Sequence, residues 1–265
     1  MKKLGLLLIL AFLALVGIHF LLAPKTDEFA EADALDEIRK RGVIKIGVNT
    51  DLKPYAYLDA KGNHVGFDID LAHYIAQYIV NSPDNVEFIP VTHSNRLMKA
   101  STGEADIVIS TITITPQREE IVSFSVPYDY AGQAVLVKSN SVISSLSDLS
   151  EQNVGVIFGS TAEKNMKNLL PNANLFGFNT YKDASDALKK GDINAITSDD
   201  TILNGLVIDD KSLKLLPKRY SKEPYGIAFK KGYSTIKLKE NVDFVIEDLY
   251  RKNVLLRLRK KWGII

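Results

Sequence analysis

The chain has 265 residues, of which 46% are hydrophobic, and this suits one large or two modest domains with a substantial core. Its 33 Lys and Arg residues nearly balance its 32 Asp and Glu residues, which argues against a nucleic-acid partner, since that needs a basic face. The lack of cysteine excludes disulfides, thiol catalysis, thiolate metal sites and a lipid anchor on cysteine.

Residues 1–23 have the composition of a targeting segment. Lys2 and Lys3 precede an apolar run that ends at Leu22, long enough to span about 28 Å as a helix. A cleaved secretory signal and an uncleaved anchor both fit, and we favour the anchor because no clear cleavage site follows. Both place the remaining chain outside the cytoplasmic membrane, in the periplasm or on the outer face. Residues 24–35 are expected to form a polar linker.

The first half of the chain alternates predicted strands and helices, which is typical of an α/β fold with a parallel sheet. A strand over 43–48 leads into a loop that contains Asn49, Leu52 and Tyr55, and a turn follows at 59–63. We then predict a helix from Asp70, a strand over 86–91, and a short helix over 94–103. Ser94 would cap that short helix, which carries Arg96.

A polar motif follows the next strand, whose apolar core is 107–109. Thr115 and Pro116 have the pattern of an N-cap followed by proline at the first helical position. Backbone N–H groups at such a helix start favour an anion, and Arg118 in the first turn suits a carboxylate held at two points. The alternative is a surface helix in which Arg118 pairs with Glu119 or Glu120.

The second half repeats this pattern, with a strand over 154–157 and helices over 162–170 and 183–190. The first of these helices would carry Ala162, Met166, Leu169 and Leu170 on one face, and two C-terminal helices are expected over about 236–250 and 254–262. Residues 191–198 match residues 103–110 position by position, from the initial glycine to the final serine. We therefore expect two similar α/β lobes with a ligand cleft at the carboxyl ends of their strands. The residues delivered to the cleft would be Ser110, Thr111, Thr113 and Arg118 from one lobe and Ser198, Asp199 and Asp200 from the other.

The sequence contains no arrangement that calls for catalysis, a metal or a cofactor. Its four histidines lack a metal-ligand spacing, and no nucleophile elbow, P-loop or dinucleotide fingerprint occurs. The remaining pattern is one of recognition, because Arg118 offers a cation from one lobe and Asp199 an anion from the other. Together they describe a site for an α-amino-acid zwitterion. Alternatively, Asp199 caps a helix over 201–206.

Several motifs, in the same order, resemble the family 3 extracellular solute-binding proteins, the polar amino-acid receptors of ABC importers. The resemblance covers about residues 36–265. The motifs are Gly66-Phe-Asp-Ile-Asp-Leu-Ala72, Thr113-Ile-Thr-Pro-Gln-Arg118, Phe124-Ser-Val-Pro-Tyr128, Lys190-Gly-Asp-Ile-Asn-Ala195 and Lys260-Lys-Trp-Gly263. It implies a type II periplasmic-binding-protein fold, with lobe 1 formed by residues 36–130 and 226–265 and lobe 2 by residues 131–225.

The resemblance also implies roles for individual residues. Arg118, with the backbone at Thr113 and Thr161, would hold the ligand's α-carboxylate. Asp199, with Thr111 and Thr113, would hold its α-ammonium group. Gly159 would let the chain approach the ligand closely. Many relatives have aspartate in place of Asn49 and an aromatic residue in place of Leu52, so the side-chain pocket of this chain departs from the family pattern.

The ligand is expected to be glutamate, aspartate or glutamine. In some relatives an arginine in the helix that corresponds to the one carrying Arg96 helps to bind the ligand side chain. Tyr225 would add a hydroxyl to this side-chain pocket. A basic amino acid served by Asp51 and Glu223 is the runner-up.

We expect a monomer that binds a free amino acid and delivers it to an ABC permease. A sensory binding module is an alternative. So is a dehydratase that uses Asp200 or Glu223 as its acid or base.

Overall fold

The computed structural model of the chain describes residues 32–264. The predicted targeting segment and most of the predicted linker lie outside these residues. Within residues 32–264, no helix combines the length and the apolar composition that a membrane span requires. The first helix, α1 (Ala34–Arg41), begins after Asp33, whose carboxylate accepts a hydrogen bond from the N–H of Leu35. The helix therefore starts two residues before position 36, where the first lobe was expected to begin.

Strands and helices alternate through most of the chain. The strands are β1 (Ile44–Val48), β2 (Asp51–Leu52), β3 (Ala56–Leu58), β4 (His64–Val65), β5 (Val86–Pro90), β6 (Ile107–Thr113), β7 (Ser123–Phe124), β8 (Asp129–Ala131), β9 (Gln133–Lys138), β10 (Asn153–Ile157), β11 (Asn174–Phe178), β12 (Ala195–Asp199), β13 (Leu213–Leu215) and β14 (Glu223–Phe229). The further helices are α2 (Phe67–Val80), α3 (Arg96–Thr102), α4 (Pro116–Glu119), α5 (Ala162–Leu169), α6 (Tyr181–Lys190), α7 (Asp200–Asp209), α8 (Ile236–Arg251) and α9 (Val254–Lys261).

Two sheets form the centres of two lobes. The first lobe has the strand order β5–β1–β6–β14–β7, with β8 also paired to β14, and the second has the order β11–β10–β12–β9–β13. In each sheet three neighbouring strands are parallel, and the next strand along, β14 or β9, is antiparallel to them. The central strand β6 is buried along its whole length, as expected for a strand covered on both faces.

The chain passes between the lobes twice along an antiparallel pair of strands, β8 and β14. Their register pairs Glu223 with Ala131 and Tyr225 with Asp129. From β8 the chain continues through Gly132 into β9 of the second lobe, and it returns through β14 into the first. Tyr225 therefore lies on a crossing strand, at the junction of the two lobes.

The repeated sequence motif corresponds to a repeated structure. Helix α3 ends at Gly103 and helix α6 ends at Gly191, and both glycines have the positive φ angle of a left-handed C-cap, +76° and +93°. The strand that follows each glycine, β6 or β12, lies inside its sheet and ends in a polar turn. The prediction of two similar lobes with equivalent strand ends is confirmed.

Three local predictions were wrong. Helix α2 begins at Phe67, earlier than Asp70, because the chain turns at Gly66 with a φ of +132°. Ser94 does not cap α3, whose N-cap position is Asn95. Leu169, expected on the buried face of α5, is substantially exposed because it lies in the last turn, while Ala162 and Met166 pack inward.

Candidate functional site

The turn after β6 forms the predicted helix start. The Thr115 hydroxyl accepts a hydrogen bond from the N–H of Arg118 at 3.3 Å, and Pro116 occupies the first position of α4. This short helix turns the side chain of Arg118 back over the end of β6. The N-cap and proline predictions are confirmed.

Arg118 joins the two lobes through backbone carbonyl groups. Its Nη1 donates to the carbonyl of Thr113 at 2.8 Å, and its Nη2 donates to the carbonyl of Gly159 in the second lobe at 2.9 Å. The side chain is buried, with 8% of its surface exposed. The expected alternative, an ion pair with Glu119 or Glu120, is wrong.

Arg96 is a second buried arginine that reaches the carbonyl of Gly159. Its Nη1 donates to the carbonyls of Ser110 and Thr111 at 2.5 and 3.3 Å, and its Nη2 reaches the carbonyl of Gly159 at 3.4 Å. Only 2% of its surface is exposed, and its Nε has no hydrogen-bond partner among the described residues. Arg96 is therefore a buried residue of the site and not a solvated residue on the surface of α3.

The two guanidinium groups form a positive centre without a matching carboxylate contact. Within residues 32–264, neither group forms an ion pair, since all their hydrogen bonds go to carbonyl oxygens. Burial, and then the charge of Arg118, lower the pKa of Arg96 to about 9, so Arg96 is still protonated at neutral pH. Burial also lowers the pKa of Arg118. Two buried cations of this kind favour an anionic ligand.

Gly159 lies where the second lobe meets the first. Its φ is +78°, and a Cβ at this position would lie 2.5 Å from the carbonyl oxygen of His93. Only glycine tolerates both the backbone conformation and the contact. The family resemblance implied that Gly159 would allow close approach to the ligand, whereas its close neighbour in this conformation is the backbone of the first lobe.

Asp199 supplies a negative group at the end of β12. It occupies the N-cap position of α7, but its side chain makes no capping hydrogen bond. Instead its Oδ2 accepts a hydrogen bond from the Tyr225 hydroxyl at 2.5 Å. The helix-cap interpretation is therefore wrong. Burial, and secondarily the nearby charge of Glu223, raise the pKa of Asp199 to about 7.

Glu223 belongs to the same cluster, although sequence reasoning considered it only as an alternative. Its buried carboxylate accepts hydrogen bonds from the Thr161 hydroxyl at 3.0 Å, from Asn165 Nδ2 at 3.1 Å and from the Ser221 hydroxyl at 2.5 Å. These contacts fix the start of α5, at whose N-cap position Thr161 lies, to the crossing strand.

The other predicted site residues lie in and beneath the first lobe's part of the cleft. The Ser110 hydroxyl donates to Asn49 Oδ1, and the Asn49 amide donates to the carbonyl of Val91 at 3.4 Å. Leu52 and Tyr55 are buried in the hydrophobic core, and the Tyr55 hydroxyl donates to Asp129 at 2.8 Å. Both side chains therefore contribute to the packing of the first lobe.

Sequence reasoning missed three buried polar residues around the site, His93, Asp68 and Tyr128. His93 stays neutral, because burial and then the charges of Arg96 and Arg118 hold its pKa well below the usual range. Asp68 and Tyr128 lie inside the motifs that carried the family resemblance, which was the available signal.

Two open grooves flank the contact between the lobes. One, of about 550 Å³, lies beside Arg118 and is bounded by Gln117, Thr161 and Lys164. The other, of about 440 Å³, lies between the small three-stranded sheet β2–β3–β4 and helices α6 and α7. Across the described part of the chain, no cluster of three or more His, Cys, Asp or Glu side chains is arranged to hold a metal ion.

Comparison with known proteins gives a consistent result. The glutamine-binding protein of Geobacillus stearothermophilus is 37% identical over 207 residues, which are 77% of this chain and 79% of that protein. The ABC transporter glutamine-binding protein of Bacillus subtilis is 34% identical over 235 residues, 88% of this chain and 85% of that protein.

The crystal structure of a cysteine-binding protein from Campylobacter jejuni matches with a TM-score of 0.82 and 31% identity, over 87% of this chain and 92% of that chain. The two lobes and their two crossing strands thus form a type II periplasmic-binding-protein fold. Residues 44–264 match the family model of the bacterial extracellular solute-binding proteins, family 3. The chain belongs to this family.

Proposed function

We propose that the chain binds a polar amino acid outside the cytoplasmic membrane and delivers it to the permease of an ABC importer. The observation that carries this proposal is the pair of buried guanidinium groups in the same cleft as Asp199. Among the described residues, both groups donate only to backbone carbonyls. Family membership and the two glutamine-binding relatives support it. We further propose that the protein acts as a monomer and is secreted or anchored by residues 1–23.

In this proposal the zwitterion lies between the lobes. Arg118 holds the α-carboxylate, and the N–H groups at the start of α5 near Thr161 and the backbone of Thr113 assist it. Asp199 holds the α-ammonium together with Thr111 and Thr113. The ligand carboxylate would take over hydrogen bonds that the Gly159 carbonyl now accepts from the two arginines.

The ligand side chain is proposed to reach Arg96. A carboxylate or an amide oxygen would satisfy the Nε that lacks a partner among the described residues, which favours glutamate, aspartate or glutamine. A basic side chain is disfavoured, because Glu223 already accepts three hydrogen bonds and Asp51 lies exposed in β2, at the edge of the three-stranded sheet β2–β3–β4.

Competition binding at neutral pH tests this choice of ligand. Glutamate, aspartate or glutamine is expected to compete at least ten times more strongly than lysine or arginine, since a cationic side chain beside Arg96 would bring like charges together. The measurement is displacement of a labelled amino acid from the purified protein. Tighter binding of arginine or lysine by a factor of ten would contradict the role proposed for Arg96.

We propose that ligand binding closes the lobes formed by residues 36–130 with 226–265 and by residues 131–225. A closed state is favoured only by contacts that the open state lacks. One such contact involves Gly205 in the middle of α7, where a Cβ would lie 2.8 Å from the carbonyl oxygen of Lys53 in the first lobe. Its backbone is helical, so glycine is needed there for space and not for conformation.

Gly205→Ala is expected to weaken amino-acid affinity by at least about fivefold without lowering the melting temperature of the ligand-free protein. Alanine favours the helix by about 0.5–1 kcal/mol, but its methyl group collides with Lys53 when the lobes meet. Calorimetry measures the affinity, and small-angle scattering of the liganded protein should show a larger radius of gyration.

Lys53→Met is the matched control for this closure contact. It removes an ion pair across the same contact, Lys53 Nζ to Asp209 at 3.0 Å, in which both side chains are about half exposed. Such a pair contributes at most about 1 kcal/mol, so affinity should change less than fivefold. Wild-type affinity in Gly205→Ala would contradict closure through this contact.

We propose that the protein is not an enzyme. The two residues considered as the acid or base of a dehydratase are both held by other groups. Asp200 pairs with Arg219 at 2.6 Å and accepts from the N–H of Gly132 at 2.9 Å, and Glu223 is fixed by its three donors. Absence of product after incubation with prephenate or arogenate is the expected result.

A further inference from the structure

The backbone of Thr111 is in an unusual conformation. Its φ is +46°, in the left-handed region that a β-branched residue rarely adopts, yet it lies inside strand β6. The residue is buried, and its hydroxyl has no hydrogen-bond partner among the described residues. Conformations of this kind persist only where the surroundings hold them, and they concentrate at ligand sites.

Two side chains hold the peptide groups of Thr111. Its carbonyl accepts a hydrogen bond from Arg96, and its N–H donates to the Tyr128 hydroxyl at 3.1 Å. Tyr128 is buried and stacks on Phe67, with 6.2 Å between ring centroids and 21° between ring planes. A tyrosine hydroxyl that accepts one hydrogen bond still has its own proton to donate, so its orientation depends on a further acceptor.

Asp68, the residue after Phe67 in helix α2, lies beside that hydroxyl. Its side chain is fully buried, and neither carboxyl oxygen makes a hydrogen bond of ordinary geometry with any residue of the described chain. The Tyr128 hydroxyl and the N–H of Thr111 nevertheless act on this carboxyl group, since both lower its pKa against the effect of burial. A buried carboxyl group that gives so little to stability calls for another explanation.

The charges around Asp68 are consistent with a neutral, accepting carboxyl group. Burial raises its pKa to about 8, and the charge of Asp129 adds to this effect. The Tyr128 hydroxyl, the N–H of Thr111 and the charge of Arg96 oppose it. At neutral pH the group is mostly protonated, and its carbonyl oxygen remains free to accept the Tyr128 proton.

We propose that Asp68 and Tyr128 are positioning residues for ligand binding, in which the Asp68 carboxyl orients the Tyr128 hydroxyl and that hydroxyl holds the N–H of Thr111. Thr111 is thereby kept in the conformation that presents its unpartnered hydroxyl to the ligand's ammonium group. The inference rests on the proposed function, because it assumes that Thr111 contacts a bound amino acid. Neither Asp68 nor Tyr128 touches the ligand itself.

The test compares affinity and melting temperature in three variants. Tyr128→Phe removes only the hydroxyl and should weaken affinity by about tenfold or more. Asp68→Leu should weaken affinity by a similar factor while keeping or raising the melting temperature, because it removes a buried, poorly satisfied carboxyl group. Asp68→Asn retains an accepting oxygen and should bind within about threefold of wild type.

The double variant Asp68→Leu/Tyr128→Phe tests whether the two residues act through the same group. Its affinity should equal that of the weaker single variant, because both changes release the N–H of Thr111. Tyr220→Phe is the matched control, since its hydroxyl also accepts a backbone hydrogen bond, from Leu146 at 3.2 Å in the second lobe. It should lower the melting temperature and leave affinity unchanged.

The outcomes separate this inference from the proposed function. If wild-type protein binds none of the twenty amino acids in calorimetry, both fail. If wild type binds and Asp68→Leu and Tyr128→Phe bind within twofold of it, the positioning role is wrong while the proposed function stands. If Tyr128→Phe does not fold, Asp68→Leu alone decides, because it leaves Tyr128 and Thr111 intact.

Discussion

Arg118→Met should weaken amino-acid binding by about two to three orders of magnitude, measured by titration calorimetry on folded protein. The substitution keeps most of the side-chain volume but leaves a desolvated ligand carboxylate without its partner, a loss of about 3–5 kcal/mol. Arg118 is buried and its guanidinium group donates to the carbonyls of Thr113 and Gly159, so the variant removes no ion pair from the part of the chain that the structure describes.

Two further variants test whether the loss comes from the guanidinium group of Arg118. Arg118→Lys keeps the charge and loses the planar two-point contact, so its affinity should lie between those of wild type and Arg118→Met. Arg39→Met is the control, because Arg39 also donates to a backbone carbonyl, that of Ile79 at 3.4 Å, but lies on α1. A loss below about fivefold in Arg118→Met would return Arg118 to a structural role.

The elements of the fold could be predicted because their signals are local. The buried strand β6, the cap at Thr115 and the glycine ends of α3 and α6 are each specified by a few consecutive residues. Residues 191–198 repeat the pattern of residues 103–110, which indicated that the two strands end at equivalent places in the two lobes. Arg118 and Asp199 were predicted as site residues because they follow these strand ends. The two C-terminal helices were placed to within one residue.

The contacts within the site could not be predicted, because they join residues far apart in the sequence. Arg96 reaches Gly159 across 63 positions, and Thr161 reaches Glu223 across 62. No local pattern shows which carbonyl a guanidinium will meet, or that the start of α5 is fixed by a glutamate of the crossing strand. For the same reason, the sequence indicated that Asp199 would supply a negative charge, but not that the Tyr225 hydroxyl would donate a hydrogen bond to it.

The cleft contains equal numbers of positively and negatively charged side chains. Arg96 and Arg118 contribute two positive groups, and Asp199 and Glu223 contribute two negative ones. Glu223 is held by three donors of the second lobe, whereas the Asp199 side chain accepts, within residues 32–264, only from the Tyr225 hydroxyl. Of the two acids, Asp199 therefore retains the greater capacity to accept an ammonium group.

Asp199→Asn should abolish measurable amino-acid binding while leaving the melting temperature of the ligand-free protein unchanged or higher at pH 8. The amide keeps the shape of the carboxylate and still accepts from Tyr225, but it cannot pair with an ammonium ion. The folded-state pKa of Asp199 lies above its ordinary value, so its contribution to stability is lost as pH rises through about 7. A neutral residue at this position avoids that loss.

The same pKa makes binding to the wild-type protein depend on pH. A bound ammonium favours ionised Asp199, so below pH 7 a growing share of the protein must first release a proton. The dissociation constant should therefore rise as pH falls from 8 to 5, approaching about tenfold per pH unit.

Asp106→Asn serves as the control, because the Asp106 carboxylate lies at the start of β6, away from the cleft, where it accepts a hydrogen bond from the N–H of Lys45. It should keep both the affinity and its pH dependence. If Asp199→Asn binds as tightly as wild type, or if wild-type affinity is constant between pH 8 and 5, the ammonium is held elsewhere, because a buried carboxylate in direct contact with it leaves neither measurement unchanged.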